Sequence, residues 1–399
     1  MLAEAQEARN SAGAAAGRVG VTRLVLTDFR NYRTTKLTLG TEPVVLTGPN
    51  GAGKSNLLEA ISLLAPGRGL RGAKLTEIGR RLDAVDDPAL SCLTSSWAVA
   101  AVVATPRGAV RIGTGFDCGQ TAGERRVVRI DGEPTRGQAA LGEWLAVVWL
   151  TPPMDRLFVE GASGRRRFLD RLVLALDPAH AARVAAYEQA LRERGKLLRE
   201  GPHDASWLAA LEDTMAQQGI AIAAARRDVA ARLDAACAAG TAGFPRARVE
   251  VSGAVEDWLA DRPALAAEDE LRARLAASRR QDGESGGAAV GPHRSDLSVS
   301  HGSTGVAAAQ CSTGEQKALL IAILLAHARL QAKLRGAAPV MLLDEVAAHL
   351  DRARRRALFA ELAALGAQAW LTGTDDELFV ELRGTAQFFG VREATVSAA

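Results

Sequence analysis

Apolar and polar positions alternate along the first part of the chain. Val21-Thr22-Arg23-Leu24-Val25-Leu26 and Lys36-Leu37-Thr38-Leu39 predict two antiparallel strands feeding a third, Val44-Val45-Leu46. Asp28-Phe29-Arg30-Asn31-Tyr32 lies between the first two. A second β-rich stretch, Ser95 to Ile130, holds Ala98 to Ala104, Val110-Arg111-Ile112 and Arg126 to Ile130, and the turn Asp131-Gly132 follows. A further apolar strand, Ala146-Val147-Val148-Trp149-Leu150, stops at Pro152-Pro153.

The period then changes. From about Asp170 to Gly240 the chain is rich in Ala, Arg, Leu and Glu, and reads as helix. Asp177-Pro178 suits an N-cap followed by Pro in the first turn. Leu208, Met215, Ile222 and Val229 recur every seven residues, Leu211 adds a partial second seam, and Gly201-Pro202 breaks the two helical runs. An antiparallel pair forming a short coiled coil and an ordinary helical subdomain both fit this stripe. Gln281 to Ala289 is rich in Gly and Ser and marks a boundary, after which α/β texture returns. The expected division is therefore a disordered tail over 1–20, an α/β segment over 21–151, a helical segment over 152–286, and a second α/β segment over 287–399.

The strand at Val44 runs into Gly48-Pro49-Asn50-Gly51-Ala52-Gly53-Lys54-Ser55. A strand that ends in a glycine-rich turn and opens a helix aims unpaired N–H groups at one point, which is a phosphate-binding loop. Lys54 reaches the β- and γ-phosphates, and the Ser55 hydroxyl suits Mg²⁺. Asn56 to Ile61 supplies the following helix. Far along the chain, Val340-Met341-Leu342-Leu343 reads as a strand buried on both faces and ends in Asp344-Glu345. Asp344 suits the metal shell, and Glu345 suits a general base that polarises the attacking water. Cys311-Ser312-Thr313-Gly314-Glu315-Gln316-Lys317 opens a long apolar helix. Its start suits an anion, through backbone N–H groups, a hydroxyl and the helix dipole. It equally fits a Ser N-cap with Glu315 closing a capping box.

Composition narrows the class. Nearly half of the 399 residues are apolar, so a large core is available, and aromatics are only 4%, so packing falls to Leu, Val and Ala. A net charge of +3 is too small to identify a partner, so local clusters of Arg matter more. Cys92, Cys118, Cys237 and Cys311 form no Cys-x-x-Cys pair and imply free thiols in a reducing cytoplasm. No run of about eighteen apolar residues is present, and the first twenty residues lack the apolar core of a secretory signal, so neither membrane nor export is expected.

The order of phosphate loop, Ser-x-Gly-x-Gln helix and Asp-Glu strand resembles the head of ABC-type ATPases. Phe29-Arg30-Asn31-Tyr32, Gly51 to Ile61, Gly164-Arg165-Arg166-Arg167-Phe168-Leu169-Asp170, Gly291-Pro292-His293-Arg294 and Leu350-Asp351-x-x-Arg354-Arg355 narrow the likeness to the RecF family of bacterial recombinational repair. The matches span Thr22 to about Asp375. The resemblance implies an α/β, ABC-type P-loop head split by a helical, short coiled-coil-like arm. It implies an ATP-dependent homodimer on DNA. ATP and Mg²⁺ would sit on residues Gly48 to Ser55 of one copy, under Ser312, Gly314 and Gln316 of the other. Weak, DNA-stimulated hydrolysis would time release. The family works with RecR and RecO to load recombinase at gaps, and supports the SOS response. Three departures stand out. Thr313 replaces a glycine of the usual signature, Thr151 to Asp155 offers no switch-loop Gln, and Thr374 stands where a His would sense the γ-phosphate.

Candidate phosphate contacts to DNA are Arg68, Arg71, Arg125, Arg126, Arg165 to Arg167, Arg352 and Arg354 to Arg356, although each run also suits a solvated or ion-paired face. Few aromatics flank them, so contacts to duplex, gapped or junction backbone should outweigh base stacking on single strands. A transporter ATPase would have a far shorter gap between Lys54 and Ser312. An SMC protein or zinc-hook ATPase would need longer heptads or a Cys-x-x-Cys hook. An ATP-gated adaptor without hydrolysis is the remaining alternative.

Overall fold

The computed structural model describes residues 17–80, 96–117, 125–135, 137–201 and 204–399. Residues 1–16 of the expected tail, together with Cys92, Cys118 and Pro202, lie outside the described residues.

Strands β1 (Gly20–Phe29) and β2 (Tyr32–Thr38) form a hairpin, β3 (Val44–Thr47) enters the glycine-rich loop, and α1 (Lys54–Ser62) leaves it. Next come β4 (Trp97–Thr105), β5 (Gly108–Phe116), β6 (Val127–Ile130), β7 (Glu133–Pro134) and β8 (Val147–Leu150). Helices α2 (Ala162–Leu176), α3 (His180–Glu200) and α4 (Ala205–Ala238) precede β9 (Ala247–Ser252). Then follow α5 (Ala254–Asp261), α6 (Ala264–Ala277), α7 (Arg279–Ser285), β10 (Asp296–His301) and α8 (Thr313–Arg335). The chain ends with β11 (Val340–Leu343), α9 (Arg352–Leu365), β12 (Ala369–Gly373), β13 (Gln387–Arg392) and β14 (Thr395–Ala398).

Contacts divide the described chain into two compact units. The first contains the residues up to Met154 with Ala242–Phe244 and His327–Ala399, and the second contains Asp155–Thr241 with Pro245–Ala326.

The first unit holds two sheets. One is antiparallel, in the order β2-β1-β4-β5-β6-β7. The other runs β14-β13-β3-β12-β11-β8, and only β14 departs from a common direction. β3, β8, β11 and β12 are buried at every position, which explains their unbroken apolar runs. β1 and β2 meet across Arg30-Asn31, with Phe29 opposite Tyr32. The second strand thus starts at Tyr32, earlier than the Lys36 start its periodicity predicts. Leu57, Leu58, Ala60 and Ile61 of α1 share one core with Leu24, Leu26 and Val99 of the antiparallel sheet and with Leu46, Leu342 and Trp370 of the parallel one. Gln368 fastens the two sheets. Its amide donates to the carbonyls of Val21 and Gly40 and accepts from the Val21 N–H.

The second unit is built on α4, which has 34 residues. The predicted stripe Leu208, Met215, Ile222, Val229 is buried. So are two further columns, Glu212, Gly219, Arg226, Leu233 and Ala216, Ala223, Ala230, Cys237. Three adjacent heptad columns cover too wide an arc for one partner helix. α3 packs on one side in antiparallel fashion, since Arg194 meets Glu212 while Tyr187 meets the Gly219 position one turn pair away. α6 and β9, which pairs with β10 in a two-stranded antiparallel sheet, cover the rest. The antiparallel pair is therefore present within a broader helical cluster. Two details differ from the sequence expectation. α7 continues helix through Gln281–Ser285, where Gly and Ser suggested a break, because Asp282 is buried and accepts from Arg194 and Ser278. β9 is passed over by the helical reading, although Ala247, Val249 and Val251 alternate.

Candidate functional site: a phosphate loop facing an Asp-Glu strand tip

Strand order builds the site. β12 lies between β3 and β11, so the carboxyl ends of three neighbouring parallel strands open at one edge, where open α/β sheets bind ligands. The first tip carries the glycine-rich loop, the second Thr372-Gly373, and the third Asp344-Glu345.

The loop's shape needs its glycines. Gly48 has φ +142°, and a Cβ there would stand 2.1 Å from the Val391 carbonyl oxygen of β13. Gly53 has φ +115°, and a Cβ there would stand 2.7 Å from both the Asn31 amide nitrogen and the Tyr32 hydroxyl. α1 begins without a side-chain cap and without an acidic residue in its first turn, so its N-terminal dipole is left for an anion. Lys54 is buried, and its ammonium donates to the Gly48 and Pro49 carbonyls at 2.6 and 2.9 Å. Burial lowers its pKa, and the nearby carboxylates of Glu345 and Asp344 oppose that fall.

The Ser55 hydroxyl donates to Asp344 Oδ1 at 2.9 Å, joining residues 289 apart in sequence. Thr372 Oγ1 donates to the same oxygen at 2.7 Å and accepts the Glu345 N–H at 2.8 Å. Glu345 itself sits at φ +54°, a left-handed conformation uncommon for a residue with a side chain. Ser55 and Asp344 are hard oxygen donors, which is the chemistry Mg²⁺ takes. The structure thus brings Lys54, Ser55, Asp344 and Glu345 together.

Sequence reasoning passed over the supports around the loop. Tyr32 is fully buried and donates to the Gly53 carbonyl at 3.1 Å, and burial pushes its phenol well above the ordinary range. Asn31 donates to the Ala52 carbonyl and accepts from Asn56. The Ala394 N–H, in the β13–β14 turn, donates to the same Ala52 carbonyl. Glu59, on α1 and 2% exposed, accepts from Arg30 at 2.8 and 2.5 Å and from Arg71 at 2.7 Å. The Phe29 to Tyr32 motif is a signal that could have found these roles, because it is polar where a buried hairpin end should be apolar.

In the second unit the Ser312 N–H and hydroxyl both donate to Glu315 Oε2, at 2.9 and 2.8 Å, so the capping box forms. Gly314 is open, with nothing within 4 Å of a hypothetical Cβ. Gln316 is buried and donates to the Cys311 carbonyl, bracing the turn. Lys317 pairs with Asp155 at 3.0 Å. In the first unit, Thr374 is exposed just beyond the β12 tip, two residues past the hydroxyl that touches Asp344.

The basic candidates separate into two groups. Arg126 donates to the carbonyls of Leu63, Ala65 and Gly67, and burial pushes its pKa down to about 10. Arg165 is paired with both oxygens of Asp296, Arg166 donates to the Ser295 carbonyl, and Arg71 is held by Glu59. Arg354 lies near Asp351, which caps α9. Arg68, Arg125 and Arg167 are exposed, and so are Arg352 and Arg356, whose Nε atoms lie 3.8 and 3.7 Å from Glu381 Oε1.

A parallel-sheet phosphate loop facing an Asp-Glu strand tip, with a capped Ser-x-Gly helix and an attached helical unit, defines an ABC-type ATPase head. The chain is similar to curated proteins named DNA replication and repair protein RecF over almost their whole length. The one from Mesorhizobium japonicum is 48% identical over 378 residues, covering 94% of this chain and 97% of its own, and that from Brucella suis is 48% identical over 379 residues, covering 94% and 95%. The chain belongs to the RecF family. A family model described as AAA domain matches residues 23–80. Among solved structures, the recombination mediator protein RecF-ATP in the RecFOR pathway superposes with a TM-score of 0.81 at 22% identity, covering 96% of this chain and 99% of that one. An Smc head domain with an extended coiled coil from Pyrococcus furiosus gives 0.50 at 14% identity, covering 96% of each chain. At these identities the likeness fixes the fold alone.

Proposed function

We propose that this chain is a Mg²⁺-dependent ATPase that binds DNA in replication and repair. The observation that carries the reading is the 2.9 Å contact between Ser55 of the phosphate loop and Asp344 of β11. Magnesium bound at that pair would neutralise phosphate charge. The loop's backbone and Lys54 would hold the β- and γ-phosphates. Lys54 rests on loop carbonyls here and exchanges them for phosphate oxygens. Glu345 takes the proton from the attacking water.

Further parts follow from family membership. Residues 21–151 and 287–399 are read as halves of the head and 152–286 as the arm. Two copies pair on ATP, with Ser312 and Gly314 of one covering the nucleotide on the other. Pairing closes the protein on DNA, and slow, DNA-stimulated hydrolysis releases it. RecR and RecO are the expected partners, recombinase loading and SOS support the expected outcomes, and the cytoplasm the expected location. Among the described residues no helix is long and apolar enough to cross a membrane. Arg68, Arg125 and Arg167 are the preferred contacts to DNA phosphates, because they are exposed, and Arg352 and Arg356 would join them by exchanging Glu381 for phosphate.

ATP hydrolysis by Lys54→Arg and Glu345→Gln, with and without duplex DNA, tests the assignment. Glu345→Gln should bind ATP normally and lose about 100-fold or more in kcat, within the range of a lost general base. Lys54→Arg should weaken hydrolysis and misplace the phosphates. Turnover of Glu345→Gln at the wild-type rate would remove Glu345 from its role.

A further inference from the structure

Thr372 is the only residue among those described above that touches both acidic positions at the β11 tip. It is 1% exposed and sits at the end of β12, between the loop-bearing and acid-bearing strands. Its hydroxyl has one proton and two lone pairs, and both kinds of bond are in use. The proton goes to Asp344 Oδ1 at 2.7 Å, and a lone pair takes the Glu345 N–H at 2.8 Å. The donor role makes Asp344 Oδ1 the acceptor. The acceptor role pins the backbone where Glu345 turns to φ +54°. Such a conformation persists only where the surroundings hold it.

We infer that Thr372 is a positioning residue for hydrolysis: its hydroxyl fixes the Asp344 carboxylate toward Ser55 and locks the Glu345 turn that aims the base. This rests on the ATPase reading above. Asp344 Oδ1 accepts from Ser55 and Thr372 together, so a metal that recruits the Ser55 oxygen leaves Thr372 as the bond that keeps this carboxylate oriented. Thr374, the hydroxyl that sequence position favoured, is exposed beyond the strand. Oxygens that hold metal-binding or catalytic carboxylates act through orientation, and removing such a support typically costs about 10–100-fold in metal affinity or activity.

Full-length Thr372→Val and Thr372→Ser proteins separate this role from packing, since valine keeps the shape and serine keeps the hydroxyl. Three quantities are read for each: kcat and KM for ATP, the Mg²⁺ concentration at half-maximal rate, and affinity for a fluorescent ATP analogue in EDTA. Thr372→Val should lose about 10–100-fold in kcat and need more Mg²⁺, while EDTA affinity stays within about twofold. Thr372→Ser should stay within about threefold of wild type in every quantity, because the bonds remain. Unchanged kcat and Mg²⁺ requirement in Thr372→Val would overturn the inference. A Thr372→Ser protein that falls as far as valine would also overturn it, by assigning the effect to the methyl group, and this arm remains decisive if valine fails to fold. Wild-type protein that binds no nucleotide would instead remove the ATPase reading itself.

Discussion

At the residue scale, the site depends on polar side chains placed where a core should be apolar. Glu59 lies inside the core helix α1 with its carboxylate held by Arg30 and Arg71. Arg30 in turn belongs to the hairpin turn whose neighbours, Asn31 and Tyr32, contact the loop carbonyls. Truncating Glu59 removes the acceptor of the half-buried Arg30 and the exposed Arg71 and loosens that hairpin. Glu59→Ala should lower unfolding free energy by about 1–3 kcal/mol, measured by urea denaturation, because the charged hydrogen bonds that tie the hairpin to α1 are lost. A loss under about 1 kcal/mol would mean that water reaches Arg30. Lys54, Ser55, Asp344 and Glu345, which the structure brings together, could be picked out in the sequence because each follows an apolar strand run in a pattern suited to phosphate and metal. Tyr32, Thr372 and Ala394 could not. Their roles come from the fold: Tyr32 and Gly53 are 21 apart in sequence, Thr372 and Asp344 are 28 apart, and Ala394 reaches Ala52 from the far end of the chain.

At the element scale, periodicity identified α4 but understated how much of it is covered. The Leu208 column alone is compatible with a two-stranded coiled coil. Ala and Gly in the neighbouring columns, with the charged Glu212 and Arg226, hide two more buried faces from any hydrophobicity count. Small residues there admit close neighbours, as Gly219 shows against the Tyr187 ring and Leu271. The charged ones are paired: Arg226 with Asp170, and Glu212 with Arg194 and Arg279. The same cluster contains His293, whose ring accepts from the Tyr187 hydroxyl and donates to the Ala288 carbonyl, the tautomer its partners require. Burial lowers its pKa, the Ala288 bond opposes this, and the nearby Arg294 and Arg166 add to the fall. Folding therefore keeps the imidazole neutral while the unfolded chain takes a proton near the ordinary pKa of about 6.5. Its contribution is complete above that pH and is lost as pH falls from there toward the lower folded value. The urea midpoint of the second unit should drop as pH goes from about 7 to 5, and His293→Gln should flatten that slope. An identical slope in the variant would place the titration elsewhere.

At the scale of the whole molecule, the first unit is assembled from separated segments, with β3 and β8 from the first half of the chain lying beside β11 and β12 from the last third. Alternation and apolar runs revealed those strands singly. Their order across the sheet was not legible, because nothing in a four-residue apolar strand says which neighbour it takes. The likeness of the motifs to one family supplied the fold class in advance, an ABC-type head, and the sheet agrees with that class. Two copies are needed if Ser312 and Gly314 are to cover a nucleotide held by another chain's loop, so nucleotide should govern mass. Sedimentation velocity of the wild-type and Glu345→Gln proteins, with and without Mg²⁺-ATP, measures this directly. ATP should convert monomer to dimer, reversibly in wild type and persistently in Glu345→Gln, and Lys54→Arg should stay monomeric. A Glu345→Gln protein saturated with Mg²⁺-ATP yet still sedimenting as a monomer would contradict nucleotide-driven pairing.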